Sequence, residues 1–255
     1  MTGPDQDALT AELATLASDA PDDLLDRVVA RWVRVPGPVG DLYVASTDHG
    51  IAYVRTGEAV GGEQAAFAAA FRARFARPLL PASRPPAGLL RALRTGSATG
   101  LRFDLRELGA FDQTVLHVML RIPRGQLRPY SWVARQVGRP AAVRAVGSAL
   151  GRNPVPVLIP CHRVVRSDGA VGGYVLGSAV KRRLLEAEGA NLGEVAALAR
   201  RGVHYLASDT TGVVCFPTCS NARRIRPAHR HGFRTVAQAR RAGYRPCRRC
   251  QPAPA

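Results

Sequence analysis

The chain has 255 residues, of which 46% are hydrophobic and 22% are charged. This composition is ordinary for a globular protein and excludes a chain that is disordered throughout, and the length allows two or three domains. No apolar run approaches the roughly 20 residues that span a bilayer, and the N-terminus lacks the basic segment of a signal peptide. We therefore expect a cytoplasmic protein with no membrane partner.

The charge of the chain is strongly positive and unevenly distributed. The formal net charge is +17, which favours a polyanionic partner, with nucleic acid ahead of an anionic membrane surface. A GC-rich coding sequence is the alternative source of the charge, because Lys181 is the single lysine among many arginines. Residues 1–27 hold seven acids and one base, whereas residues 204–255 hold ten arginines and one acid. A uniform coding bias does not explain that contrast, so we predict an acidic tail over 1–27.

The first folded segment, residues 28–100, is predicted to be an α/β domain. Apolar residues alternate through three short runs that are separated by turn-forming residues, which indicates an antiparallel meander. Phenylalanines recur every four residues between Gln64 and Phe75, which predicts a helix with one aromatic face packed on the meander.

Residues 101–190 are predicted to form a second, mainly helical domain. One helix is expected over Asp112–Leu120, and two short ones over Ser131–Gln136 and Ala141–Leu150. A Gly-containing turn separates the two short helices, as in a helix-turn-helix, although any helical hairpin gives the same pattern. Residues 191–203 are predicted to be a linker, and residues 204–255 a third, small α+β domain.

Cys161 stands apart from the other four cysteines. We predict a strand over Val155–Ile159 that ends in the sequence Pro160-Cys161-His162-Arg163. A cysteine attacks as the thiolate, and a neighbouring imidazole and guanidinium favour that form near neutral pH. The alternative is an inert buried cysteine, which is a common fate for this residue.

The sequence Pro160-Cys161-His162-Arg163-Val164 resembles the active-site signature of the O6-alkylguanine-DNA alkyltransferases, also called methylated-DNA–protein-cysteine methyltransferases. The resemblance covers the catalytic domain of that family over residues 111–190 and its N-terminal α/β domain over residues 31–96. It implies a winged-helix-like catalytic domain, double-stranded DNA with alkylated bases as substrate, and a cytoplasmic, nucleoid-associated monomer. It also implies one irreversible alkyl transfer per molecule, without a cofactor, from O6-alkylguanine and conceivably from O4-alkylthymine.

The resemblance assigns four residues to the chemistry of transfer. Cys161 matches the alkyl acceptor, and His162 matches the base that reaches it through a water. Glu188 matches the carboxylate that orients the histidine, and Asn153 matches the residue that braces the active-site turn.

Five further residues match positions that bind the DNA. Tyr130 and Arg144 match the pair that flips the damaged nucleotide out of the duplex, a step that places a base in an enzyme pocket. Pro156 and Tyr174 match pocket walls, and Lys181 matches a residue of the pocket loop.

The pocket departs from the pattern of one branch of the family. There the pocket tyrosine is followed by a serine and two glycines, whereas here Tyr174 is followed by Val175, Leu176 and Gly177. A hydroxyl that holds the guanine oxygen is thus missing at Val175, which leaves the pocket shape, the substrate range and the rate open.

The remaining four cysteines have the spacing Cys215-x3-Cys219-x27-Cys247-x2-Cys250. Two such pairs separated by a longer loop predict one tetrahedral zinc site in a reducing compartment, with four unligated thiols as the alternative. His229 and His231 lie in the loop and are not needed as ligands.

Residues 205–252 resemble the zinc domain of the adaptive-response (Ada) repair protein, through the segments 211–219 and 242–250. In that family all four cysteines bind zinc, and the first accepts a methyl group from a DNA methylphosphotriester. The resemblance therefore implies that Cys215 is a second methyl acceptor, with a structural, DNA-binding zinc site as the alternative. Phe216 stands where such domains usually have arginine.

Three other functions remain as hypotheses. A non-catalytic sensor of alkylation damage is disfavoured because such sensors replace the acceptor cysteine. A methylation-responsive transcription regulator is disfavoured because no transcription-activating region is present. A cysteine hydrolase that uses Cys161 and His162 would leave the positive charge without an explanation.

Overall fold

A computed structural model describes residues 28–252. The acidic tail predicted for residues 1–27 lies outside the described residues, as do residues 253–255 at the end of the predicted third domain. Between residues 28 and 252, no helix combines the length and the apolar composition needed to cross a membrane.

The N-terminal sheet contains the predicted antiparallel meander. Its strands are β1 Ala30–Gly37, β2 Gly40–Thr47, β3 Gly50–Thr56 and β4 Leu79–Pro81. β1, β2 and β3 pair antiparallel in sequence, and β4 lies parallel to β1, which gives the order β3-β2-β1-β4. The sheet is buried on both faces: Val33 and Val35 of β1 belong to the main core, whereas Ala30 belongs to a second core on the opposite face.

The predicted aromatic helix packs on this sheet. Helix α1 is Gln64–Phe75, and it buries Phe67 and Phe71 completely. The ring centre of Phe67 lies 5.3 Å from that of Tyr43 and 5.7 Å from that of Tyr53, so the aromatic stripe is core packing. A helical turn at Glu58–Val60 precedes α1, and helix α2, Leu89–Thr95, follows β4.

Residues 101–104 pack against the first sheet, although the sequence placed the start of the second domain at residue 101. Phe103 bridges Ile51, and the Asp104 amide donates to the Ile51 carbonyl at 2.9 Å. The extended segment therefore continues the edge of the first sheet before the next helix begins.

The middle of the chain contains the predicted pair of short helices. Helix α3 is Ala110–Met119, α4 is Tyr130–Gln136 and α5 is Val143–Gly151. α4 and α5 pack on each other and on α3, and Arg152 after α5 donates to the Asp112 carboxylate of α3 at 2.6 and 2.8 Å. β5, Arg128–Pro129, pairs parallel with β6, Val164–Val165. Because β5 and β6 pair parallel, they do not form a β-hairpin of the kind that a winged helix has. The winged-helix-like form of this domain stays a prediction.

The predicted strand over Val155–Ile159 is wrong. This segment is a buried tight turn in which Pro156 bridges Ile159 and Val157 has φ +74°. Pro156 within the segment and Pro154 just before it lack the amide protons that a central strand donates to its neighbours. The residues are apolar because the turn is enclosed by the domain core, not because they alternate across a sheet.

The C-terminal region forms a second sheet with one helix. Its strands are β7 Tyr205–Ser208, β8 Val213–Cys215, β9 Arg230–Phe233 and β10 Arg245–Pro246, in the order β10-β8-β7-β9. Helix α8, Val236–Arg241, begins with a capping box between Thr235 and Gln238.

Two helices connect the middle of the chain to this sheet. Helix α6 is Ser178–Ala187, and helix α7, Leu192–Arg200, occupies most of the predicted linker. Helical turns lie at Ala222–Arg224 and Pro227–His229.

Candidate active site and metal centre

Cys161 begins a single helical turn, Cys161–Arg163, between the buried turn after α5 and strand β6. Its amide donates to the Ile159 carbonyl at 2.8 Å, and the Arg163 amide donates to the Pro160 carbonyl at 3.0 Å. These bonds fix the backbone, and the thiol is nearly completely buried. Cys161 lines a cavity of about 400 Å³ with the following residues: Tyr130, Gly147, Leu150, Gly151, Gly173, Tyr174 and Val175.

Asn153 contacts both the sulfur and the backbone of the turn. Its side-chain nitrogen lies 3.0 Å from Cys161 Sγ and 3.1 Å from the Ile159 carbonyl oxygen. Its Oδ1 accepts a hydrogen bond from the Val155 amide at 2.9 Å. One buried side-chain amide therefore holds the turn and donates to the sulfur.

Burial and the neighbouring polar groups have opposite effects on the pKa of the Cys161 thiol. Burial raises the pKa of Cys161 to about 11, although the hydrogen bond from Asn153 and the positive charge of Lys181 act in the opposite direction. Burial lowers the pKa of Lys181 to about 8, and the nearby Cys161 raises it in part. Since the resting thiol is protonated at neutral pH, the site needs a base to generate thiolate.

His162 and Glu188 form the pair that can supply this base. His162 Nε2 lies 2.9 Å from Glu188 Oε1, and the imidazole is almost completely buried. Burial would raise the pKa of Glu188, but hydrogen bonds from His162 and Arg163 outweigh it and hold the pKa at about 2. The carboxylate is therefore charged and accepts the Nε2 proton, which leaves Nδ1 as the acceptor of the neutral imidazole. Among the described atoms, Nδ1 has no hydrogen-bond partner.

Arg163 does not lie beside the thiol in the role that the sequence suggested. Its guanidinium contacts Glu188 Oε1 at 2.7 Å, and it donates to the carbonyls of Ile122 at 2.6 Å and Gly96 at 2.8 Å. A buried guanidinium is costly unless its charge is paired and its N–H groups are hydrogen-bonded. Here Glu188 pairs the charge, and the two carbonyls accept hydrogen bonds from the remaining N–H groups. Arg163 therefore fixes Glu188 and joins the N-terminal region to the active site.

Lys181 and Pro156 differ from their predicted positions. Lys181 lies within helix α6, not in a pocket loop, and its fully buried Nζ donates to the carbonyls of Val164 at 2.6 Å and Gly173 at 3.2 Å. Pro156 bridges Ile159 inside the buried turn and is not among the residues that line the cavity. Lys181 thus holds the backbone at Val164 and Gly173, and its positive charge also favours the Cys161 thiolate.

Two of the residues predicted to bind DNA line the cavity of Cys161. Tyr130 and Tyr174 are part of its wall, and the ring centres of Tyr174 and His162 are 6.1 Å apart. Val175 also lines the cavity and offers no side-chain hydroxyl there. Arg144 is exposed on helix α5, in the first turn of the second short helix.

The four remaining cysteines converge, as their spacing predicted. The sulfurs of Cys215, Cys219, Cys247 and Cys250 all lie within 4.8 Å of one another, and all four residues are buried. Thiolates about 2.3 Å from a tetrahedral zinc are themselves about 3.8 Å apart. Four sulfurs at this separation fit a closed zinc site, and the Asn221 amide donates to Cys247 Sγ at 3.5 Å.

Sequence reasoning missed the buried residues that surround these two sites. Arg128 is almost fully buried, donates to the Leu127 carbonyl and the Gln126 side chain at 2.7 Å each, and stacks 5.1 Å from the ring centre of Phe216. Gly125 contacts Glu188. An arginine in a strongly basic chain gives no sequence signal that it is buried, and neither does a single glycine.

Two family models match the chain. The model described as the 6-O-methylguanine DNA methyltransferase DNA-binding domain matches residues 110–190. The model described as the metal-binding domain of Ada matches residues 197–253. The second match begins inside helix α7 and includes the four cysteines.

Relatives with assigned names match the middle of the chain. The methylated-DNA–protein-cysteine methyltransferase of Methanothermobacter thermautotrophicus is 50% identical over 82 residues, which cover 32% of this chain and 46% of that protein. The human protein of the same name is 50% identical over 86 residues, which cover 33% of this chain and 42% of that protein. The chain thus spans about half the length of the curated relatives that it matches.

Solved structures match a longer part of the chain. The crystal structure of Mycobacterium tuberculosis OGT in complex with DNA superposes with a TM-score of 0.51 at 30% identity, covering 66% of this chain and 99% of that one. The O6-methylguanine methyltransferase structure from the same organism gives the same score and identity and covers 62% and 92%. The mixed α/β fold is therefore shared with these proteins.

Proposed function

Because the chain belongs to the methylated-DNA–protein-cysteine methyltransferase family, we propose that it repairs DNA by moving the alkyl group of O6-alkylguanine onto Cys161. The observation that carries this proposal is the arrangement at the cavity. The buried Cys161 lines a cavity of about 400 Å³, and its sulfur lies 3.0 Å from the Asn153 side-chain nitrogen. The next residue in the chain, His162, is hydrogen-bonded to Glu188. The cavity is of the size that single-ligand pockets have.

Proton removal from Cys161 is the first step of the proposed reaction. Nδ1 of His162 accepts the thiol proton through a bridging water, while Glu188 holds the opposite nitrogen and stabilises the imidazolium. The Asn153 amide and the Lys181 charge favour the thiolate that forms. The thiolate attacks the alkyl carbon, the S–C bond forms and the C–O6 bond breaks. The proton taken from Cys161 returns to the guanine, so the charges balance.

The product explains why each molecule would act once. A thioether at Cys161 has no easy leaving group, and no cofactor or second substrate of the proposed reaction removes it. The protein is therefore consumed by the repair that it performs, and the reaction at Cys161 needs no metal or organic cofactor.

DNA binding supports the same proposal. A base inside a duplex cannot reach a buried thiol, so the damaged nucleotide must rotate out of the stack. Tyr130 lines the cavity mouth, and Arg144 is exposed on the second short helix, where an inserted side chain could occupy the vacated space. The net charge of +17 suits a phosphate backbone. We propose that the helix pair α4–α5 binds double-stranded DNA as a helix-turn-helix and that the protein acts as a monomer.

The four-cysteine site supports a second, more local proposal. Cys215, Cys219, Cys247 and Cys250 would hold one zinc ion, which when bound keeps the sulfurs deprotonated at neutral pH. Of these four described residues, Cys215 alone lines a cavity of about 550 Å³, whose wall also carries Arg224, Arg226 and Arg245. Arginines suit the phosphates of a DNA backbone, which supports Cys215 as the sulfur that accepts a methyl group from a methylphosphotriester; the S–C bond forms, the C–O bond breaks and a phosphodiester remains.

Intact mass after reaction with methylated DNA tests the main proposal. A duplex with one O6-methylguanine should add one methyl group to the wild-type chain and restore guanine, whereas Cys161→Ala should bind the duplex and gain no mass. Demethylation of the base by Cys161→Ala would contradict the proposal. Binding by the wild type without any transfer would favour the damage-sensor alternative.

The flipping role of Arg144 is tested by comparing two substrates. Arg144→Ala should slow transfer from duplex O6-methylguanine far more than transfer from a free O6-benzylguanine base, which needs no flipping. Arg72→Ala, at an exposed arginine of α1, is the control. Equal losses on both substrates would exclude a role in extrusion.

The role of Cys215 is tested in the Cys161→Ala background. Peptide mass spectrometry after incubation with DNA that carries methylphosphotriesters should find the methyl group on Cys215. An unmodified, zinc-loaded chain, alongside a working phosphotriester acceptor as positive control, would reduce residues 204–252 to a DNA-binding module.

A further inference from the structure

The segment 125–128 lies between the catalytic carboxylate and the four-cysteine region. On one side, the Gly125 amide donates to Glu188 Oε2 at 3.0 Å. On the other side, the carbonyl of Gly125 accepts a hydrogen bond from the Arg223 guanidinium, in the helical turn that follows Cys219. Gly125 thus connects Arg223 to the carboxylate that orients His162.

Gly125 is closely fitted into this position. Its φ is +69°, and a β-carbon built on it would lie 2.6 Å from the Glu188 carbonyl oxygen and 3.5 Å from the Arg223 guanidinium. A side chain is therefore excluded by both the backbone conformation and the contact. The close fit means that a displacement of Gly125 is transmitted directly to Glu188.

The loop between the first two cysteines holds the next residues of the same segment. Thr218, between Cys215 and Cys219, accepts the Leu127 amide proton at 2.8 Å and faces the Leu127 carbonyl oxygen at 3.4 Å. Phe216 of the same loop stacks on the Arg128 guanidinium. Leu127, Arg128 and Thr218 are all buried, so these hydrogen bonds have no competition from solvent.

The second cysteine pair contacts Trp132, which lies beside Arg128. The Trp132 indole nitrogen donates to the Cys250 carbonyl at 3.1 Å, and the Arg128 guanidinium lies 5.7 Å from the Trp132 ring centre. The four cysteines, Phe216 and Leu206 belong to one continuous apolar core with Trp132, Val133 and the active-site turn. The C-terminal region is therefore packed into the catalytic domain and is not a separate module on a linker.

Strand β5 extends this contact to the active-site turn itself. Arg128 and Pro129 pair with Val164 and Val165, the two residues that directly follow Cys161–Arg163. The segment 125–128 and the adjoining Pro129 are therefore linked to the catalytic residues in two ways: by the hydrogen bond to Glu188, the partner of His162, and by the β5–β6 pair next to the turn.

We propose that Arg223 and Thr218 of the C-terminal region are positioning residues for the Glu188–His162 relay, so that this region sets the rate of alkyl transfer at Cys161. The inference rests on the proposed function of Cys161. Glu188 Oε1 accepts from His162 at 2.9 Å and from Arg163 at 2.7 Å, whereas Oε2 accepts from the Gly125 amide and from Arg163 Nε, each at 3.0 Å. Loss of the Gly125 bond leaves Oε2 held by Arg163 alone among the described residues, so the carboxylate is less firmly fixed and orients the imidazole less well.

Two substitutions in the full-length, zinc-loaded chain test the inference. Arg223→Met removes the bond to the Gly125 carbonyl, and Thr218→Val removes the Leu127 hydrogen bonds at nearly constant volume. Each should lower the maximal rate of transfer from a free O6-benzylguanine base by about three- to tenfold, the range expected for one lost hydrogen bond. The half-saturating concentration should stay unchanged, since neither residue lines the Cys161 cavity. A free base is used because it removes any contribution of these residues to DNA binding.

Controls separate positioning from general stability. Arg241→Met, at an exposed arginine of α8, should transfer at the wild-type rate, and Arg223→Lys should restore part of the loss. Zinc content should remain one per chain in every variant, and hydrogen exchange of the Gly125 amide should accelerate in Arg223→Met but not in Arg241→Met. If the wild type transfers the alkyl group and both test variants match Arg241→Met, the inference is wrong. If the wild type itself does not transfer, the proposed function has failed instead.

Discussion

The side-chain amide nitrogen of Asn153 lies 3.0 Å from the sulfur of Cys161, and the oxygen of the same amide accepts the Val155 backbone proton. Asn153 therefore stabilises the thiolate with one end of its side chain and the active-site turn with the other. The substitution Asn153→Asp separates the two functions, because aspartate keeps the oxygen that accepts from Val155 and replaces the nitrogen that donates to the sulfur by a negatively charged oxygen.

We predict that Asn153→Asp slows alkylation of Cys161 by about tenfold or more at neutral pH. A carboxylate beside the sulfur raises the pKa of Cys161 further above its value of about 11, and each pKa unit reduces the thiolate fraction about tenfold. The rate of iodoacetamide labelling between pH 6 and pH 10, read by peptide mass, measures the effect. Asn191→Asp is the control, because aspartate replaces asparagine equally well as the cap of α7. A labelling rate equal to that of the control would show that the amide does not act on the sulfur.

Lys181 should determine the shape of the same pH profile. Its pKa is lowered to about 8, so it is positive below pH 8 and neutral above it, and the positive form favours the thiolate. The labelling rate of the wild type should rise with pH and then rise less steeply above pH 8. Lys181→Met should label about tenfold more slowly below pH 8 and show no inflection there. An inflection that persists in Lys181→Met, while the exposed-site control Arg182→Met behaves as wild type, would assign it to another group.

Glu188 should contribute stability that disappears in acid. Its pKa is about 2 in the folded protein and near 4.5 ordinarily, so the contribution is complete above about pH 5 and is lost as the pH falls towards 2. Glu188→Gln should lower the free energy of unfolding at pH 7 by roughly 3 kcal/mol, at about 1.36 kcal/mol per pKa unit. Urea unfolding of both proteins between pH 3 and pH 7 measures the difference, with Glu186→Gln at an exposed site as control. A difference that does not shrink below pH 4.5 would mean that charge is not its source.

Removal of the metal should change the tryptophan fluorescence of the catalytic domain. Native mass spectrometry should find one zinc per chain, and Cys219→Ser should lose it, because three thiolates no longer complete the shell. Chelation should lower the melting temperature and shift the emission of buried Trp132 to longer wavelength, since Trp132 donates to the Cys250 carbonyl. Trp132→Phe retains Trp32 and should abolish the shift. An unchanged emission after verified zinc loss would show that the two regions are not coupled at Trp132.

The signature at Cys161 and the spacing of the four C-terminal cysteines were readable from the sequence. Both are local: a reactive cysteine beside a histidine occupies consecutive positions, and a zinc site uses pairs of cysteines within one turn of each other. The antiparallel meander and the aromatic helix were also predictable, because short apolar runs between turn residues indicate strands and a four-residue aromatic repeat indicates one buried helix face. The strand predicted over Val155–Ile159 failed because an apolar run shows burial and does not distinguish a strand from an enclosed turn.

The sequence by itself thus determined the family, and it predicted the proposed nucleophile and the four cysteines that converge, since each depends on residue types at short, fixed spacings. Only the tertiary structure decided that Arg163 clamps Glu188, that Lys181 is buried beneath the active-site turn, and that Gly125 joins Glu188 to Arg223. These contacts connect residues 17 to 98 positions apart in the chain. No periodicity links positions so distant, because their meeting depends on how whole elements pack around one core.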